Sequence, residues 1–223
     1  MCRGNQLARG IIFTIDGVGG FNIATTAMTL AFKLAGLPHK IEQLYWSHGF
    51  GRWLSDLQDS RRIEEKACEL AERIKTKYQN GTEVYIVAKS AGCAIALRAL
   101  SLLPPESVRK VILLAPAVSP DYSLKPALRA VKEKLFTFWS PNDSLILGLG
   151  TTFFGTADGA YSKAAGLIGF KTSDGDDDES KTLYKKMHQI KWQPQMLITL
   201  NFGDHPGTAM VPFLQSYVVP LLK

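Results

Sequence analysis

Cysteine is scarce in this chain of 223 residues. Cys2, Cys68 and Cys93 make an odd number with no metal-ligand spacing, which excludes a disulfide-stapled scaffold and a zinc-ribbon type of site. Cys68 and Cys93 fall in helical patterns among alanines and leucines, so buried free thiols are expected. Long apolar runs are missing too: none reaches the roughly 18 residues of a membrane span, and no integral membrane segment is expected. There is no internal repeat and no low-complexity linker. Charge of one sign does not accumulate into a basic patch. Lys and Arg number 26 against 20 Asp and Glu, for a formal net charge of +6, but they are scattered and no aromatic–basic stripe accompanies them, so nucleic acid is not an expected partner. The one sign-pure run is acidic, Asp174 to Glu179 around Gly175. It reads as a solvated loop, with a calcium loop as the alternative, although the spaced oxygen ligands of that motif are lacking.

What is present is ordinary in bulk: 46% apolar and 21% charged residues, the balance of a soluble globular protein. The length suits a single domain over residues 1–223 with one core. The first apolar strand begins almost at once, with no signal peptide ahead of it. A cytoplasmic protein is the expectation from the sequence as it stands. Cys2 keeps open the alternative of an exported lipoprotein whose signal lies outside it.

Hydrophobic periodicity alternates between the two regular structures. Gly10 to Ile15 reads as a strand feeding a glycine-rich turn, Asp16-Gly17-Val18-Gly19-Gly20. A helix is predicted over Ile23 to Leu34 and a strand over Ile41 to Trp46. The clearest amphipathic helix runs from Ser60 to Gln79, with Ile63, Ala67, Leu70, Ile74 and Tyr78 on one face and Asn80-Gly81 ending it. Val84 to Val87 reads as a fully buried strand, followed by a helix from Ala91 to Leu103 that stops at Pro104-Pro105. Lys110 to Ala115 and Leu135 to Trp139 are further strands, with a helix over Pro126 to Lys132 between them. Leu145 to about Asp178 is glycine-rich and carries no assignment. Met196 to Asn201 is predicted as the last strand, and Thr208 to Leu222 as a closing helix interrupted by Pro212. Strand–helix alternation of this kind predicts an α/β fold with a mainly parallel sheet, whose functional loops lie at the carboxyl ends of the strands.

Three of those ends carry chemistry. Between the buried strand and its helix stands Ala88-Lys89-Ser90-Ala91-Gly92, a near match to the Gly-x-Ser-x-Gly nucleophile elbow. Small residues flank the serine because strand and helix nearly touch around it. Asp143 lies in the turn after the 135–139 strand, and His205 lies in the loop before the closing helix. A serine hydroxyl needs a base to become a nucleophile, and a histidine near neutral pH supplies one when a carboxylate holds its second ring nitrogen. Asp158 is the rival acid. Asp204 reads as loop-shaping, His48 as a pocket-lining or structural histidine, and His39 and His188 as surface residues. Gly17 to Gly20 do not make a nucleotide fingerprint, because the Gly-x-Gly-x-x-Gly spacing fails.

The order Ser90, Asp143, His205, each after a strand, resembles the α/β-hydrolase superfamily, and within it the small bacterial members without a large lid or cap domain. The likeness runs from Gly10 to the closing helix. It implies a trimmed, mainly parallel sheet of about six strands flanked by helices, and an acyl-enzyme formed on Ser90 with His205 as base and Asp143 orienting it. It also implies an oxyanion hole from the backbone N–H groups of Val18 and Ala91. Two residues depart from the family pattern: Ala88 replaces the first glycine, and Lys89 stands where histidine is frequent. Gly17, Lys89, Phe153 and Phe154 are expected at the substrate, a small-molecule ester. No metal or organic cofactor is implied. The expected activity is a carboxylesterase for short-chain esters. A lipase or cutinase-like polyesterase and a non-catalytic binding protein of the same fold are the alternatives.

Overall fold

In the computed structural model, residues 10–20, 22–47, 49, 51, 56, 59–143, 156–158, 163–171 and 177–223 are described. Six strands among them form one sheet: β1 (Ile11–Ile15), β2 (Lys40–Leu44), β3 (Val84–Lys89), β4 (Val108–Leu114), β5 (Val131–Trp139) and β6 (Met187–Lys191). Their spatial order is β2-β1-β3-β4-β5-β6, and every neighbouring pair is parallel. Parallel strands must be covered on both faces, and the pattern of each strand shows how. Ile11, Phe13, Ile15, Ile86, Ala88, Val111 and Leu113 point to one side, where they pack with α2 (Ser60–Gln79), α3 (Gly92–Ser101) and α4 (Lys125–Ala130). Ile12, Tyr85, Val87, Ile112 and Leu114 point to the other, against α1 (Ile23–Leu34) and the C-terminal helix. Among the described residues two short helices, α5 (Ala165–Ile168) and α6 (Asp178–Tyr184), lie between β5 and β6.

The C-terminal helix α7 is continuous over Val211–Phe213, Leu214–Val218 and Val219–Leu222, with a π-helical middle. Pro212 sits in its first turn, where a missing N–H breaks nothing. Pro220 has no N–H to donate one turn back, and the turn before it widens. Inside this helix Phe213 is fully buried, edge-on to Phe138 at 5.4 Å and stacked on Tyr217 at 5.3 Å.

Several expectations are corrected. The strand expected at Met196 to Asn201 is a 3-10 helix over Pro194–Thr199. Only Met196 and Thr199, three apart, are buried there, while Ile198 is 86% exposed, a threefold period and not a twofold one. The true last strand, β6, reads Met-His-Gln-Ile-Lys and is an edge strand with no buried residue. Polar edges of this kind resist unwanted pairing and hide from a hydrophobic scan. The helix expected through Lys132 stops at Ala130, because β5 already begins at Val131. Cys68 is exposed, whereas Cys93 is buried as expected. His39 is half-buried, its ring edge-on to Tyr85. The described end of the acidic run is no loop. Asp177 caps α6 through the Ser180 N–H and pairs with Lys125 at 3.1 Å, and Glu179 pairs with Arg129 at 2.8 Å. Cys2, His48, Phe153 and Phe154 lie outside the described residues. No helix among the described residues is long and apolar enough to cross a membrane.

The packing of α7 on the sheet rests on Phe213. Phe213→Ala is expected to lower stability by about 3–5 kcal/mol, read as a shifted midpoint in urea denaturation with an unchanged slope.

Candidate active site

β2 lies on one side of β1 and β3 on the other, so the chain leaves the carboxyl ends of β1 and β3 in opposite directions. A crevice opens at such a switch point in any doubly wound sheet. Two segments line it here: the turn Asp16 to Gly20 after β1, and Ser90 after β3. Ser90 has φ 54°, left-handed backbone that a side chain rarely adopts. The surroundings hold it there. Its N–H donates to the Leu114 carbonyl at 2.9 Å, and its carbonyl accepts from Cys93 N at 3.1 Å and Ala117 N at 3.2 Å. A strained serine between a buried strand and a helix is the nucleophile-elbow geometry.

The two segments touch. A Cβ on Gly92 would lie 2.3 Å from the Asp16 carbonyl oxygen and 2.8 Å from Ile15 Cγ2. A Cβ on Gly17 would lie 3.0 Å from Ser90 Cβ and 3.5 Å from its Oγ. Gly92 therefore requires glycine, and Gly17 borders the serine directly, where a side chain would press on Ser90.

The β1 turn is organised by carboxylates. Asp16 accepts from Gly17 N at 2.7 Å, Ala24 N at 2.9 Å and Thr25 N at 3.4 Å. It caps α1 in place of Asn22, whose side chain makes no cap bond. Asp56, fully buried, accepts from Gly19 N at 2.7 Å, and Trp46 Nε1 donates to the Asp16 carbonyl at 2.8 Å. The N–H of Val18, between two occupied amides, has no acceptor among the described residues, and neither has that of Ala91. These are the two amides expected at the oxyanion hole.

Asp143 closes the turn after β5, its N–H on the Ser140 carbonyl at 3.2 Å. It is buried, and its Oδ2 accepts from His205 Nδ1 at 2.7 Å. That bond places the ring proton on Nδ1 and leaves Nε2 as the basic nitrogen. The histidine loop is shaped to reach this turn. Asn201 Oδ1 accepts from Gly203 N at 2.9 Å, Trp192 Nε1 donates to the Asn201 carbonyl at 3.0 Å, and a Cβ on Gly203 would stand 2.8 Å from Ser140 Oγ. Asp158, the rival acid, is occupied elsewhere, accepting from Ser119 N at 2.9 Å. The Asp204 carbonyl accepts from Gly207 N at 3.1 Å within the loop. No hydrogen bond joins Ser90 Oγ to His205 among the described residues. Such bonds often tighten only once substrate is bound.

Lys89, expected at the substrate, is placed otherwise. Its ammonium is buried and donates to the His205 carbonyl at 2.8 Å and to Thr208 Oγ1 at 3.2 Å. Burial draws its pKa down to about 8, against the pull of Asp143, Asp16 and Asp204. Burial also holds His205 below its ordinary value, helped by the Lys89 charge and opposed by Asp143. The Cys93 thiol is pushed up by burial and bonds the Ala88 carbonyl at 3.4 Å, so it stays neutral. No group of three or more His, Cys, Asp or Glu among the described residues could hold a metal ion. Sequence reasoning missed Asp56, Asn201 and the place of Lys89. Asn201 had a signal, an Asn-x-Gly turn pattern. Lys89 had one as well, a lone charge ending an apolar strand.

With that geometry in hand, residues 42–137 match the family model described as Serine hydrolase. No curated protein matches the chain in sequence. Among solved structures the chain is similar to a mature lipase of Bacillus licheniformis, at 16% identity over 97% of this chain and 93% of that one, with a TM-score of 0.51. It is similar also to a hydrolase assigned to the alpha/beta superfamily from Xanthomonas campestris pv. campestris, at 16% identity, 93% and 99% coverage and a TM-score of 0.50. The poly(3-hydroxybutyrate) depolymerase LpqC of Bordetella parapertussis is a third, at 12% identity, 96% and 82% coverage and a TM-score of 0.50. The fold is that of the α/β hydrolases.

The contact at Gly92 generates a test of sign. Alanine is the better helix former by roughly 1 kcal/mol, yet Gly92→Ala is expected to destabilise by about 1–3 kcal/mol through overpacking. A lowered midpoint in thermal denaturation is the result that checks it.

Proposed function

We propose that the protein is a serine carboxylesterase acting on short-chain esters, with Ser90 as nucleophile, His205 as base and Asp143 as its orienting acid. The observation that carries this reading is the Asp143–His205 pair, 2.7 Å apart, on a loop that Lys89 ties to the strained Ser90 elbow. Nε2 takes the Ser90 proton as Oγ attacks the ester carbonyl carbon. The carbonyl electron pair moves onto oxygen, where the Val18 and Ala91 amides meet it; such preorganised donors are worth about 3–4 kcal/mol each in related chemistry. Collapse expels the alcohol, which takes the proton back from His205. Water, deprotonated by the same nitrogen, then releases the acid and restores Ser90. β4 and β5 are joined by residues 115–130 alone, too short for a lid domain, which supports small soluble substrates.

One observation favours a lipid-surface variant of the same chemistry. Leu197, Ile198, Leu200 and Phe202, 42–86% exposed, lead into the histidine loop. If they dock on an interface, Ile198→Ser combined with Phe202→Ser lowers hydrolysis of emulsified triglyceride while sparing a soluble butyrate ester. Equal effects on both substrates sink the variant.

The esterase reading is tested with p-nitrophenyl butyrate and a fluorophosphonate probe. Ser90→Ala is expected to lose both hydrolysis and labelling. Asp143→Asn is expected to reduce kcat by roughly a hundredfold to ten-thousandfold, and Asp158→Asn to stay within about threefold, since surface-type changes away from the reacting groups are small.

The pH profile has a defined sign. The base works only when neutral, and its pKa is lowered. Activity is therefore lost as pH falls through a value below the ordinary histidine one, and an acid limb of kcat/KM above that value would contradict the assignment of His205.

A further inference from the structure

None of the bond-making steps above uses Lys89, yet its ammonium is buried and held by two acceptors. It ends β3, whose other residues are Val84, Tyr85, Ile86, Val87 and Ala88, and it is 6% exposed. Burying an ammonium is expensive, and an apolar residue of the same length would fill the space without that penalty. Its partners show what the charge is for. Nζ donates to the backbone carbonyl of His205 and to Thr208 Oγ1, and Thr208 Oγ1 donates to the same carbonyl at 3.2 Å. The three groups form a closed triangle joining the residue before Ser90 to the residue that bears the base. The charged and titratable groups around it come from every neighbouring element: Asp16 from the β1 turn, Asp143 from the β5 turn, Asp204 and His205 from the histidine loop, and Cys93, neutral, from α3.

Resting on the serine-hydrolase reading above, we infer that Lys89 is a positioning residue: it clamps the backbone of His205 to the nucleophile strand, so that imidazole and serine are held in one frame. A second consequence follows from its charge. Burial is the larger cause of the lowered His205 pKa, and an ammonium beside the histidine loop adds to it by disfavouring the imidazolium. The carboxylates of Asp143 and Asp204 pull the other way. A buried lysine with a merely structural role would account for a loss of stability on its removal. It would not account for a change in the titration of His205.

Two variants separate these roles in the intact chain. Lys89→Met keeps the length and removes both the bond and the charge. Thr208→Val removes the hydroxyl from the triangle and leaves the charge. In Lys89→Met, kcat on p-nitrophenyl butyrate is expected to fall by about tenfold or more with KM within about twofold, the pattern of a lost transition-state geometry. Its acid limb is expected to move up by about half a unit or more, as removal of a nearby positive charge requires. In Thr208→Val, kcat is expected to fall with the acid limb unmoved. Following the His205 ring protons by NMR through the same pH range reads the shift without turnover. If Lys89→Met does not fold, the Thr208→Val result decides alone. An unchanged kcat in Thr208→Val, or an unmoved histidine titration in folded Lys89→Met, overturns the inference while wild-type hydrolysis leaves the esterase reading standing. A wild-type protein inert to both the ester and the fluorophosphonate overturns that reading and this inference with it.

Discussion

One close approach governs the site: Gly92, at the start of α3, lies against the carbonyl of Asp16 at the end of β1. Without it the elbow could not sit at the switch point, because any side chain there would push α3 off the neighbouring strand. The same region brings Gly17 onto Ser90. It also accounts for the left-handed backbone of Ser90, which must reverse the chain within a residue to let α3 start so close. Backbone strain of this kind costs about 1–3 kcal/mol, and it persists because Leu114, Cys93 and Ala117 bond both peptide groups of the serine. The β1 turn is fixed from the other side by Asp16, Asp56 and Trp46. What results is a pair of turns whose peptide groups are largely bonded internally, with the Val18 and Ala91 amides left without an acceptor among the described residues.

The second half of the site is built on buried polarity. Asp143, His205, Lys89, Thr208 and Asn201 all lie beneath or within the histidine loop, most of them with their polar atoms bonded. Polar groups in a low dielectric specify geometry strongly, because each misplacement leaves a partner unsatisfied. Gly203 lets this loop rest on Ser140 and Asn142 of the acid turn. The Asp143–His205 bond thus comes from two loops packed on each other, with the side chains following the backbone.

Most of the fold was legible because it follows apolar periodicity. The bounds of α1 and α2 emerge at the residues where caps, charge patterns and apolar faces place them, and β3 was plain from its unbroken apolar run. β6 was not, because a half-exposed edge strand needs little hydrophobicity. The apolar run at Met196 to Leu200 misled for the opposite reason: Pro194 starts a 3-10 turn, and exposed Ile198 and Leu200 bury nothing. At the candidate site, the strand-to-helix turn at Ser90 and the glycine turn after β1 could be read from position along the chain, and it is Asp143, not Asp158, that bonds His205. The tasks of Lys89 and Asp56 could not, since their partners lie far away in sequence and no local pattern announces a long-range bond.

That the misassigned last strand left the placement of His205 intact has a physical cause. The histidine does not hang from the end of β6, which stops at Lys191. It is delivered by a polar scaffold: Trp192 bonding Asn201, Asn201 turning Gly203, and Lys89 and Thr208 holding the His205 carbonyl. An imidazole carried this way is insulated from the exact course of the preceding chain, which can be strand or 3-10 turn so long as Asn201 and Gly203 reach the turn that bears Asp143. The exposed apolar side chains of that segment are correspondingly released from packing duty. The loop that holds His205 can vary its outer surface without moving the imidazole.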